Sequence, residues 1–129
     1  MNLREGIGIR QQMIMQCIWQ SENPPTVLEI IDMLEERCGQ RLATSTITTL
    51  CQGLSKRGYI HQGPKRGHAY TYEALIEKED FFQGEIRRMR KVMFQGSVLE
   101  MVGAMLREEG IGEEDMRVIQ GILLKYGKR

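Results

Sequence analysis

The chain has 129 residues, 41% apolar and 27% charged, and its 18 basic and 17 acidic side chains leave a formal charge of +1. That length makes one domain, or a small domain with an appendage, burying roughly two thirds of its unfolded surface. No apolar run approaches the ~20 residues that span a bilayer, the N-terminal MNLREGIGIRQQ lacks the apolar core of a signal peptide, and Cys17, Cys38 and Cys51 are too widely spaced for a disulfide framework or zinc ribbon. The expectation is a cytoplasmic protein with reduced, buried thiols and no membrane insertion.

The first helix is predicted over about Ile9 to Gln20, with Met13 and Cys17, and Ile14 and Ile18, paired at i, i+4 on an apolar face that Trp19 closes. Pro24-Pro25 ends that segment, since proline lacks the amide a helix needs. Thr26 then reads as an N-cap with Glu29 three residues on, a capping box. The second helix carries Val27, Ile30, Ile31 and Leu34 inside and Glu29, Asp32, Glu35 and Glu36 outside, and ends near Cys38-Gly39. That acidic side is expected to face away from any nucleic acid.

A third helix over about 44–57 has Ile47, Leu50, Cys51 and Leu54 at i, i+3, i+4 and i+7. Its outer side carries Ser45, Thr48, Thr49, Gln52 and Lys56, short or amide side chains rather than a salt-bridged surface, and Gly58 stops it. A strand starting at Tyr59-Ile60, a loop tip at Gly63 to Gly67 and a return over Ala69 to Tyr72 make a hairpin with a basic tip. Tyr70 and Tyr72, two residues apart, are expected to share the core side of the strand. From Arg37 to Tyr72 there are six basic residues (Arg37, Arg41, Lys56, Arg57, Lys65, Arg66) and no Asp or Glu, a charge pattern that suits a phosphate backbone.

Beyond Glu73 no strand signal remains. A helix over about Glu77 to Phe94 carries a heptad-like seam of Phe82, Ile86, Met89 and Met93, which Gln95-Gly96-Ser97 interrupts. A second carries Val98, Leu99, Val102, Met105 and Leu106 up to Gly110-Ile111-Gly112. A third opens on Glu113-Glu114-Asp115, acids that suit the positive end of a helix dipole, and continues through Met116, Ile119, Ile122 and Leu123. Three amphipathic helices have more apolar face than they can bury among themselves, so a second copy of the chain is the expected cover.

The expected fold is therefore mostly α with a small β wing: a winged helix-turn-helix DNA-binding domain over 1–74 and a helical dimerisation region over 75–129. The helix over 44–57 would enter the major groove, and the wing, residues 63–68, would rest on the phosphate backbone. Thr48, Thr49 and Gln52 can reach base edges, Gln bonding adenine at two points and Thr offering a methyl to thymine. Ser45 and Thr46 could cap the helix and bond phosphate, Lys56, Arg57, Lys65 and Arg66 are phosphate contacts by charge and position, and His68 could join them. Phe82, Ile86, Met89, Met93, Leu99, Met105, Leu106, Ile119 and Leu123 are the candidate dimer contacts. No cysteine has a histidine at a telling spacing and metal ligands are few and scattered, so neither an enzyme nor a cofactor or metal site is expected.

Several stretches together resemble the penicillinase-repressor group of bacterial transcription regulators: Ile14-Met15-Gln16-Cys17-Ile18-Trp19, Ser45-Thr46-Ile47-Thr48-Thr49-Leu50, Leu54-Ser55-Lys56-Arg57-Gly58-Tyr59-Ile60, the wing from Lys65 to Tyr72, and the break at Gly96-Ser97. The resemblance covers about Arg10 to Tyr126. It implies a homodimeric winged-helix repressor on a dyad-symmetric operator of double-stranded DNA, released by an upstream signal, in some members through a membrane-bound sensor protease. The sequence departs from the group at Thr48, where Arg is frequent, and at Gly53, where a basic residue is common. It also lacks a cysteine-bearing tail and the asparagine-phenylalanine pair of the cleaved segment, so neither copper sensing nor a scissile bond carries over. Two alternatives remain at this point: a dimeric winged-helix interaction module without operator specificity, and a redox-responsive regulator using Cys17, Cys38 or Cys51.

Overall fold

Two reciprocal hydrogen bonds start the second helix and show how local chemistry sets the element boundaries. In the computed structural model, which describes residues 6–127, Thr26 Oγ1 accepts from the Glu29 amide at 3.3 Å. The Glu29 carboxylate in turn accepts from the Thr26 amide at 3.0 Å. Helices α1 (Ile9–Gln20), α2 (Val27–Cys38) and α3 (Thr44–Lys56) follow the apolar periodicity of the sequence. Gly39 closes α2 at φ 70°, and Gly58, just beyond α3, has φ 81°. Both occupy the left-handed region that glycine enters without a Cβ penalty.

The wing is an antiparallel pair, β1 (Ile60–Arg66) and β2 (Ala69–Ala74). Its strands run further than the sequence suggests. Lys65 pairs with Tyr70 and Arg66 with Ala69, so the reversal is only Gly67-His68, with Gly67 at φ 69° in the first central position. The expected loop at Gly63-Pro64 is instead an irregularity inside the ladder, between the pairs at Gln62 and Lys65. Pro64, which has no amide to donate, is tolerated there, and its carbonyl accepts from Thr71 Oγ1 at 2.8 Å. A Cβ on Gly63 would stand 2.9 Å from that hydroxyl.

A short extended segment before α2 joins the wing: Thr26 bridges Thr71, and the Tyr72 amide donates to the Pro25 carbonyl at 2.9 Å. This contact buries Thr71 beside Tyr72 and corrects the expectation for the tyrosines. The ladder irregularity and the third segment break strict alternation, so Tyr72 is 7% exposed in the core while Tyr70 is 47% exposed.

The chain divides into two compact units, one through Glu85 and one from Ile86. In the first, Ile14, Met15, Cys17 and Ile18 of α1 pack with Ile30, Ile31 and Leu34 of α2 and Ile47, Cys51 and Leu54 of α3. Ile60 and Tyr72 close the cluster from the wing, and Phe81 enters from the start of α4 (Lys78–Met93). Trp19 meets Phe81 edge-on at 5.2 Å and Phe82 at 6.0 Å, and its indole N–H donates to the Ile76 carbonyl at 3.1 Å. In the second unit, α4 ends before Gln95 and Gly96, at φ 45° and 86°, and α5 (Val98–Glu109) starts with Ser97 Oγ accepting from the Glu100 amide at 3.1 Å. Helix α6 (Glu113–Tyr126) follows.

Candidate nucleic-acid interface

Helix α3 is held from one side only. Ile47, Cys51 and Leu54 are fully buried at successive turns, which turns Ser45, Thr49, Gln52 and Lys56 outward. Thr46 and Thr48 are half-buried at the edge of that face. The expectation that Ser45 or Thr46 caps the helix is corrected. The N-cap is Ala43, which has no side-chain acceptor, and both residues lie inside the first turn. The opening amides of α3 are thus left without a side-chain cap, an arrangement that favours an anion.

Between α3 and the base of the wing runs a groove lined by Thr49, Gln52, Gly53, Ser55, Lys56, Gln62 and Tyr72. Hydroxyls, amides and one ammonium supply its polar groups, and no carboxylate lines it. Gln62 and Ser55 escaped the sequence reading. Gln62 sits on β1 opposite the buried Tyr72, and only knowledge of the ladder register would have placed it beside Gln52.

The basic residues of the acid-free segment differ sharply in their engagements. Arg41 pairs with Asp32 at 2.9 Å and with Glu35 at 2.5 Å. Arg57 donates to the Gly6 carbonyl. Arg66 donates to Glu29 and, at 3.3 Å, to the Pro24 carbonyl. Lys56 and Lys65 make no ion pair among the described residues, and Lys65 Nζ lies 4.9 Å from the Tyr70 ring centroid. His68 is exposed at the turn. The acidic side of α2 is therefore partly occupied by arginines from the very segment whose sequence lacks acids. Glu29 is held below the usual carboxylate range, first by the Thr26 amide and then by Arg66.

The thiols separate into two environments. Cys17 and Cys51 are buried, and burial raises both, Cys51 to about 12. Cys38 is exposed, against the expectation of three buried thiols, because it is the last residue of α2 and lies at the edge of the core. Among the described residues no group of three or more His, Cys, Asp or Glu side chains could hold a metal ion.

Of the candidate dimer contacts, Phe82 is packed against the core beside Trp19. Ile86, Met89, Met93, Leu99, Met105 and Leu123 are exposed, and Leu106 and Ile119 are half-buried.

A family model described as penicillinase repressor matches residues 7–125. No curated protein matches the chain. Among solved structures, RosR of H. salinarum is similar with a TM-score of 0.55 at 14% identity, covering 96% of this chain and 96% of its own. The complexes designated RosR-S1 and RosR-S4 each give 0.53 at 14% identity, covering 92% of this chain and 90% and 88% of theirs. At that identity the likeness is one of fold.

Proposed function

Because the chain belongs to the penicillinase repressor family, and so is a DNA-binding transcriptional regulator rather than an enzyme, we propose that two copies bind a dyad-symmetric operator in double-stranded DNA. Helix α3 enters the major groove and the wing follows the backbone. Thr48, Thr49 and Gln52 meet base edges, while Ser45, Thr46 and the uncapped amides at the start of α3 meet phosphate. Lys56, Arg57, Lys65 and His68 supply the remaining backbone contacts. The observation that carries this reading is the groove between α3 and β1, which offers donors and no carboxylate to a polyanion.

Pairing of the copies is assigned to the second unit and the seam that leads into it, where Met89, Met93, Leu99, Met105 and Leu123 stand exposed. Apolar side chains in such number mark an association surface. Release is assigned to an upstream sensor signal. No described helix is long and apolar enough to cross a membrane; in this reading the membrane-bound sensor protease is a separate chain.

Titration of the protein against the DNA upstream of its own gene, with a scrambled duplex beside it, tests the proposal. With on the order of six to ten phosphates neutralised per dimer, affinity should fall ~10³–10⁵-fold between 50 and 200 mM salt, and the native sequence should bind more tightly throughout. Equal affinity for the scrambled duplex would overturn specific repression and favour an interaction module.

A further inference from the structure

The wing-tip arginine is already in use. Arg66 Nη2 donates to the Glu29 carboxylate and, at 3.3 Å, to the Pro24 carbonyl. The same carboxylate oxygen accepts from the Thr26 amide at 3.0 Å and from Thr26 Oγ1 at 3.3 Å. Beside it, Thr26 bridges Thr71 and the Tyr72 amide donates to the Pro25 carbonyl at 2.9 Å. Arg66, from β1, is therefore one of two ties to the segment 24–26 that leads into α2, the other being the Thr26–Thr71 bridge from β2 with its Tyr72–Pro25 hydrogen bond.

We propose that Arg66 acts with Glu29 as a positioning pair, setting the wing against the N-terminus of α2, and is not itself a phosphate contact. The proposal rests on the reading of the wing as a DNA-contacting element. A phosphate that took Arg66 would have to strip it from Glu29 or sit close to that carboxylate, and like charges at such distances repel. Glu29 also stands in the first turn of α2, where the helix dipole and the Thr26 amide favour its ionised form. The arginine is thus offered a permanent anion within the protein. Lys65 and His68, on either side of Gly67, are what the positioned wing presents.

Two substitutions separate the roles, because they predict opposite signs. Glu29→Gln keeps the capping box, in which glutamine serves as well, and removes only the charge. If the pair positions the wing, operator affinity falls by about two- to fivefold per wing, the range an exposed charge pair supports, and the salt dependence keeps its slope. If Arg66 is a phosphate contact restrained by Glu29, the same variant frees it, so affinity rises and the slope steepens. Arg66→Gln adds a second reading. A positioning residue leaves the slope of log affinity against log salt unchanged, whereas a lost phosphate contact reduces it by about 0.9 per protomer.

A readout without DNA keeps this inference distinct from the function it rests on. Amide exchange at Tyr72, whose N–H is bonded to Pro25, should accelerate in both variants and no further in the double variant. Wild-type protein that fails to bind its upstream DNA would defeat the proposed function, while exchange would still judge the pair. Tighter, steeper binding by Glu29→Gln, or unchanged exchange at Tyr72, overturns the positioning role.

Discussion

Gly53→Ala puts a number on the packing of α3. The residue lies inside α3, where alanine is favoured over glycine by about 1 kcal/mol. Against that gain stands one contact: a Cβ at Gly53 would approach Gln11 Nε2 to 2.9 Å. The Gln11 amide donates there to the Leu50 carbonyl at 3.3 Å. It is the end of a flexible side chain, so it can withdraw, but the bond goes with it at a net cost of about 0.5–1.5 kcal/mol. The two effects nearly cancel, and the variant should lie within about 0.5 kcal/mol of wild type. In a Gln11→Ala background the obstacle and the bond are both gone, so the same substitution should stabilise by about 1 kcal/mol. Urea denaturation followed through Trp19, the only tryptophan of the chain, measures all four corners of the cycle. The expected coupling between the sites is about 0.5–1.5 kcal/mol. Destabilisation beyond about 2 kcal/mol in both backgrounds would mean that backbone packing, not Gln11, fills the space above Gly53. Full stabilisation with no coupling would mean that the Gln11 contact has no energetic weight.

Thr26→Ala removes the side-chain acceptor for the Glu29 amide and should cost about 0.5–2 kcal/mol, read as a lower thermal midpoint by circular dichroism, with Thr26→Ser recovering most of it. An unchanged midpoint would show that the cap contributes nothing. Brief alkylation of native protein at pH 8, read by mass spectrometry, should label Cys38 alone, because Cys17 and Cys51 are buried with raised thiol values; comparable labelling of Cys51 would contradict the packing of α3. Met89→Glu with Met93→Glu should give monomers in sedimentation and weaken operator binding, and an intact dimer would move the interface elsewhere. Gln52→Ala should narrow the gap between native and scrambled duplexes, whereas Lys65→Ala should weaken both alike and lower the salt slope by about 0.9 per protomer; the reverse pattern would invert the docking.

What could be read along the chain was whatever is decided within a few residues. The Thr26–Glu29 box spans one helical turn, and Gly39 and Gly58 act on the helix end beside them, so the helix boundaries stood in the sequence. The penicillinase-repressor resemblance had the same source, an ordered set of short segments. Two of the misplacements involve partners distant in sequence. Tyr70 and Tyr72 looked equivalent because strand alternation is local, yet a bridge from Thr26 to Thr71 decides which one is buried. Gly53 stood out only as a departure from the family pattern, and the neighbour a Cβ there would meet is the side chain of Gln11, far back in α1.

Charge shows the same limit most plainly, and it bears on function. A segment free of acids along the chain reads as one suited to a phosphate backbone, with Lys56, Arg57, Lys65 and Arg66 as its contacts. Folding brings α2 alongside, so Arg41 meets Asp32 and Glu35, and Arg66 meets Glu29. The cations of that stretch are thereby sorted. Arg41 and Arg66, with planar forks that suit carboxylates, are paired within the domain, and Arg57 donates to a backbone carbonyl; Lys56 and Lys65 form no ion pair among the described residues. Exposed pairs of this kind add little stability, commonly ~0–1 kcal/mol. Their consequence is geometric: in the positioning role proposed for it, the Arg66–Glu29 pair sets the wing strand that flanks the groove, and no carboxylate lines that groove. A surface can in this way be built from fewer free cations than its sequence contains and still meet a phosphate backbone, provided the remaining ones are held in register. The salt slope, which counts contacts rather than residues, is the quantity that distinguishes the two arrangements.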